Sequence, residues 1–145
     1  SDDVDRCTFF DEKKDFKIGI VANQNPLTIK VLDALEIDSE FELPRDRKST
    51  WEVESVTIPA TVNYPDGMYS KIPSGKFEER EGMLNAEFLR NMRSTEGSET
   101  GVYSALDALR GEPLRGNEAL LVLKNTSTGK VKLFKVVINM TSSKI

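Results

Sequence analysis

The chain contains no histidine. That excludes Ser-His-Asp and Cys-His catalysis, removes the commonest general base, and removes the usual zinc and copper ligand. It contains one cysteine, Cys7, so no internal disulfide and no cysteine cluster can form. No apolar stretch approaches the ~20 residues that a transmembrane helix needs. Nor is there an excess of basic charge: 20 Lys and Arg stand against 24 Asp and Glu, net −4, with a pI near 5.0. General nucleic-acid binding is therefore excluded, because phosphate neutralisation needs clustered cations. Repeats and low-complexity linkers are absent as well. Ser1 stands where an initiator Met would, as expected of a processed chain. These absences leave a binding or structural protein, with no catalytic residue, metal or other cofactor expected.

What is present is enough apolar material for a core. The 145 residues are 38 % hydrophobic and 30 % charged, which predicts a single domain over 1–145; six acids within 1–15 mark an extended acidic arm, and the patterning below makes the domain β-rich. Runs such as Ala119-Leu120-Leu121-Val122-Leu123 demand burial. Alternation predicts a strand at Phe16-Lys17-Ile18-Gly19-Ile20 and another over 56–64, with Val56, Ile58, Ala60, Val62 and Tyr64 on one face. Trp51 and Val53 lie in the opposite parity to Val56, so a bulge is expected near Ser55. Pro59 argues for an edge or a bulge, and Pro65-Asp66-Gly67 for a turn. Residues 26–37 fit a strand or a helix, and β-branched Thr28, Ile29 and Val31 favour the strand. A C-terminal hairpin is predicted from 119–124, a loop at 125–129 and a strand over 130–139. Short helices are predicted over 102–109, ahead of Gly111, and over 81–93 through Leu84, Phe88 and Met92. The fold class is mainly β: an antiparallel β-barrel or β-sandwich with one or two short helices.

The candidate sites are modest. Glu78, Glu79 and Glu81 could bind a cation or transfer protons, but they lack EF-hand spacing and read as a solvated surface. Asp2, Asp3 and Asp5 read as an acidic terminus. Cys7 has only Arg6 nearby to activate it. The sequons at Asn125 and Asn139 are uninformative, since chance matches are common and both Asn residues have structural jobs available in a turn and at a strand end. A polar, Gly-bearing loop over 94–101 lacks the Lys of a phosphate-cradling loop and reads equally as a protein-contact element or as an ordinary connector. Basic residues gather late in the chain, at Lys124, Lys130, Lys132, Lys135 and Lys144.

Several short segments in order carry a family resemblance: Gly75-Lys76-Phe77, Ala86-Glu87-Phe88-Leu89, the run Thr100-Gly101-Val102-Tyr103-Ser104-Ala105-Leu106, then Thr128-Gly129-Lys130-Val131. Over roughly 75–136 this order resembles the manganese-stabilising extrinsic protein of photosystem II. Val102 interrupts the family's Gly-Tyr step, Ser104 stands where it has Asp, and its first cysteine has no counterpart here. The resemblance implies a non-catalytic extrinsic subunit of the thylakoid lumen that docks on protein subunits of a larger membrane complex, peripheral to the bilayer. Its contacts would be Gly97, Glu99, Thr100, Gly101 and Tyr103, with Lys130, Lys132 and Lys135 steering. A secreted or cell-envelope β-sandwich module for binding or adhesion is the alternative. An enzyme built on Glu78 or Glu81 ranks last.

Overall fold

The computed structural model describes residues 2–13, 17–23, 27–40, 50–61, 64–92, 112–126 and 131–142, with the side chains of 2–13 and 40 left aside. The described residues form two antiparallel sheets. The first runs β1 (Asp2–Lys13), β10 (Val131–Ser142), β3 (Lys30–Glu40), β7 (Met83–Glu87), β6 (Glu78–Arg80), with β8 (Arg115–Gly116) also paired to β3. The second runs β2 (Lys17–Ala22), β9 (Ala119–Asn125), β4 (Trp51–Ile58), β5 (Met68–Ile72). Neither closes on itself, so the architecture is sandwich-like rather than a barrel. One 3-10 turn, Ser74–Lys76, is the only helical element among the described residues.

The two sheets share a core because their strands alternate. From β9 come Ala119, Leu121 and Leu123; from β10, Leu133, Val136 and Ile138; from β3, Leu35 and Ile37. Trp51 is fully buried, and its indole N–H donates to Ser39 Oγ at 2.9 Å. That bond joins β4 of one sheet to β3 of the other.

Several expectations meet the structure directly. The bulge near Ser55 is present: β4 slips register against β9 between Val53 and Ser55. The turn at Pro65-Asp66-Gly67 closes with the Gly67 N–H donating to Tyr64 O at 2.8 Å. The strand ends at Ile58, however, because Pro59 brings no donor to extend the ladder. Residues 30–40 do form a strand, but Leu27 and Ile29 face outward. Leu32, Leu35 and Ile37 are buried instead, with a register slip at Asp33 that resets the parity.

The predicted C-terminal hairpin is overturned. Both strands exist, yet β9 belongs to one sheet and β10 to the other. The chain crosses the sandwich instead of folding back, and each strand buries its apolar face from its own side. The end of β9 is fixed by Thr50: Thr126 N–H donates to Thr50 O at 2.8 Å and Asn125 Nδ2 to Thr50 Oγ1 at 3.1 Å.

The helix predicted over 81–93 is also overturned. Glu81 and Gly82 both take left-handed backbone angles, φ 53° and 81°, and close a two-residue hairpin with Arg80 opposite Met83. Leu84 and Ala86 then point inward from a strand. Glu81 is the one described non-glycine residue with positive φ, and Asn tolerates that region better. Glu81→Asn should raise stability by about 0.5–1 kcal/mol in urea unfolding. The helix expected over 102–109 lies outside the described residues.

Candidate interaction surface

The outer face of the β2–β9–β4–β5 sheet is divided in two. At one end it is charged: Lys17 Nζ meets Glu54 Oε1 at 2.8 Å, and Lys124 lies 4.0 Å from Glu52. The hydrogen bond from Lys17 holds the Glu54 carboxyl below the ordinary range. The support this pair gives is present above the ordinary carboxylate range and fades as pH falls through the lowered value. Since the pair is exposed, its effect is small.

The other end is apolar. Val21 of β2 stands opposite Leu120 of β9, and Leu120 opposite Thr57 of β4. Val21 is 51 % exposed and Leu120 42 %. Together with Ile58, Pro59 and Glu118 they line a shallow depression of about 340 Å³. A second depression of about 280 Å³ continues it past Ala60, Thr61 and Asn117.

The wall formed by Asn117 and Glu118 is tied down from beneath. Lys30 is 1 % exposed, and its ammonium donates to Asn117 O at 2.9 Å and Thr28 O at 3.0 Å. Gly116 packs so closely on Ile58 that an added Cβ would lie 2.5 Å from its side chain. Lys30→Met deletes two charge-assisted hydrogen bonds and strands two carbonyls. We expect a loss of about 1–3 kcal/mol in chemical denaturation.

The residues singled out in the sequence are not brought together here. Gly97, Glu99, Thr100, Gly101, Tyr103 and Lys130 lie outside the described residues. Lys132 and Lys135 lie on β10, where the register sets Lys132 against Glu12 and Glu40, and Lys135 against Asp38. The acidic cluster is a hairpin surface: Glu78 pairs with Arg80 at 3.0 Å, and Glu79 accepts the Gly82 N–H at 2.9 Å. Asn125 is buried with its amide engaged. Among the described residues no group of three or more Asp, Glu, Cys or His is placed to hold a metal ion. The apolar half-face was missed in the sequence, although Val21 and Leu120 already alternated out of phase with their buried neighbours.

Fold and surface together define a β-sandwich-like module that offers side-chain surface and strand edges. A model of the crassvirus muzzle protein C-terminal domain matches residues 4–91, more than half of the chain, and the chain belongs to that family. No curated protein sequence matches it. Among solved structures, the VP2 subviral particle of infectious bursal disease virus aligns at a TM-score of 0.36 and 8 % identity, over 97 % of this chain and 33 % of that one. The T=1 particles derived from infectious bursal virus align at 0.32 and 9 %, over 99 % and 41 %. Cocksfoot mottle virus aligns at 0.27 and 7 %, over 95 % and 83 %. The chain thus spans about a third to two fifths of the first two, and the superpositions are loose.

The family overturns the photosystem II resemblance, and with it photosynthesis and the thylakoid lumen: the family is viral. Nothing in it points to a membrane complex. Of the segments that carried the resemblance, those among the described residues serve the β fold. Gly75 sits in a 3-10 turn, Phe77 is buried, and Ala86 faces the core from β7. The alternative, a β-sandwich module, is the nearer of the two, with its secreted or cell-envelope location replaced by a viral setting.

Proposed function

We propose that this chain is a non-catalytic structural module of a virus particle, working by contact with neighbouring virion proteins. The observation that carries the reading is the family match over 4–91, which takes in most of β1 and all of β2 through β7. The fold supports it. Two sheets on one core give a rigid body, and the outer half-face around Val21 and Leu120 is the sort of surface that protein partners cover. Antibodies against this chain, applied to purified intact or gently opened particles, should label one fixed location by electron microscopy. Protein that is abundant in infected cells yet absent from purified particles would overturn the reading.

A further inference from the structure

The four outermost strands of the two sheets are treated unequally. β6 is three residues long and wholly charged, Glu78-Glu79-Arg80. β5 is capped: Asn91 Oδ1 accepts the Tyr69 N–H at 3.1 Å and the Met92 N–H donates to Tyr69 O at 2.8 Å. β1 is long but acid-rich, with Asp2, Asp3, Asp5, Asp11 and Glu12. Such devices keep edges from pairing. β2, Lys17-Ile18-Gly19-Ile20-Val21-Ala22, has none of them. Among the described residues it pairs on one side only, with β9. Its single charge, Lys17, sits at one end and is bound to Glu54.

Gly19 is the second clue. Its φ is not left-handed, and an added Cβ would meet only Leu120 Cδ1, at an ordinary 3.8 Å. Neither turn geometry nor crowding within the described residues calls for glycine, and glycine weakens a strand interior. What it does leave is a notch in the exposed face beside Leu120 and Val21.

We propose that β2 pairs antiparallel with β2 of a second copy of this chain, about a two-fold axis at Ile20. Opposite residues in an antiparallel pair share a face. In this register Val21 of each copy falls opposite Gly19 of the other on the outer face, and Ile18 opposite Ala22 on the inner face. Each of these flanking pairings sets a large side chain against a small one, and the two Ile20 residues meet on the inner face at the axis. The two Lys17 residues end at opposite ends of the pair, so no like charges meet. The four strands of each copy join into one continuous sheet of eight, and the two Val21–Leu120 patches become one. The inference stands on the fold and does not need the viral assignment. A contact of six residues is small, so the dimer is weak and concentration-dependent.

Sedimentation equilibrium of the full chain, up to its highest soluble concentration, should show a monomer–dimer equilibrium. Val21→Lys, at an exposed position, should leave the circular dichroism spectrum unchanged and weaken association at least tenfold. The register has its own readout. In a Cys7→Ser background, a Gly19→Cys chain mixed with a Val21→Cys chain should form the mixed disulfide in preference to either homodimer. A monomer at every concentration overturns the proposal. So does a dimer that ignores Val21→Lys, or one that gives no preference for the mixed disulfide.

Discussion

Replacing Trp51 by alanine is expected to cost about 3–5 kcal/mol of folding free energy, the upper range for a single core truncation. Trp51 is the largest fully buried side chain, enclosed where the two sheets face each other. Removing it leaves a cavity that both sheets line, and two stiff sheets cannot collapse to fill it. Its indole N–H is also bonded to Ser39 Oγ across the sandwich, so the substitution strands a buried hydroxyl too. Trp51→Phe separates the two effects. It keeps most of the apolar volume, loses the hydrogen bond, and should cost about 1–2 kcal/mol. Urea unfolding monitored by far-ultraviolet circular dichroism measures both. Equal losses for the two variants would contradict this assignment of Trp51 as chiefly a packing anchor.

Gly67→Ala is expected to cost about 3–5 kcal/mol, although it adds a single methyl group. Two penalties coincide there. The residue sits at φ +74°, where L side chains are strained, and its new Cβ would lie 2.4 Å from Ile58 O. The obstructing atom is a backbone carbonyl at the last residue of β4, so it cannot swing aside as a side chain could. To relieve the clash, the loop between β4 and β5 must shift, and the Gly67 N–H bond to Tyr64 O must loosen. Ile58 also lines both surface depressions, so the apolar half-face should be disturbed along with stability. Thermal unfolding gives the first effect, and binding of an apolar fluorophore near neutral pH gives the second. A variant as stable as the parent chain would mean that this turn does not hold the geometry described.

Strand identity was legible in the sequence wherever period-two alternation was strong, as at Ile18 and Ile20 and over 119–123. The bulge near Ser55 was legible too, since Trp51 and Val53 could not share a face with Val56 without one. Strand pairing was less legible. A connection as short as 126–130 allows either a hairpin or a crossing between sheets, and alternation is the same in both. Only the apolar faces on opposite sides of the core decide it. The helix expected over 81–93 came from Leu84, Phe88 and Met92 at i, i+4, i+8. The Glu81-Gly82 pair carried the opposing signal, because a dipeptide ending in Gly ahead of an alternating run can close a tight hairpin. The inward face of β3 was not legible, because the Asp33 irregularity shifts the parity between Val31 and Leu35. As for the site, Gly75 and Phe77, two of the residues behind the family resemblance, serve a 3-10 turn and the core, while the predicted docking loop, Gly97 to Tyr103, lies outside the described residues. Ser104 and the missing first cysteine were the departures that counted against the photosystem family. Nothing local marked Lys30 as a buried tie, since its partners are backbone carbonyls brought together by the fold.

The proposed role is tested most directly by cross-linking mass spectrometry on intact virus particles. Lys17, Lys124 and Lys132 are exposed on the two sheets and give amine-reactive handles on different faces. If the chain is a structural module, its peptides appear in purified particles in fixed ratio to other particle proteins. Its lysines then link reproducibly to a small set of neighbouring chains. Peptides that vanish on particle purification, or links scattered among unrelated proteins, would contradict it.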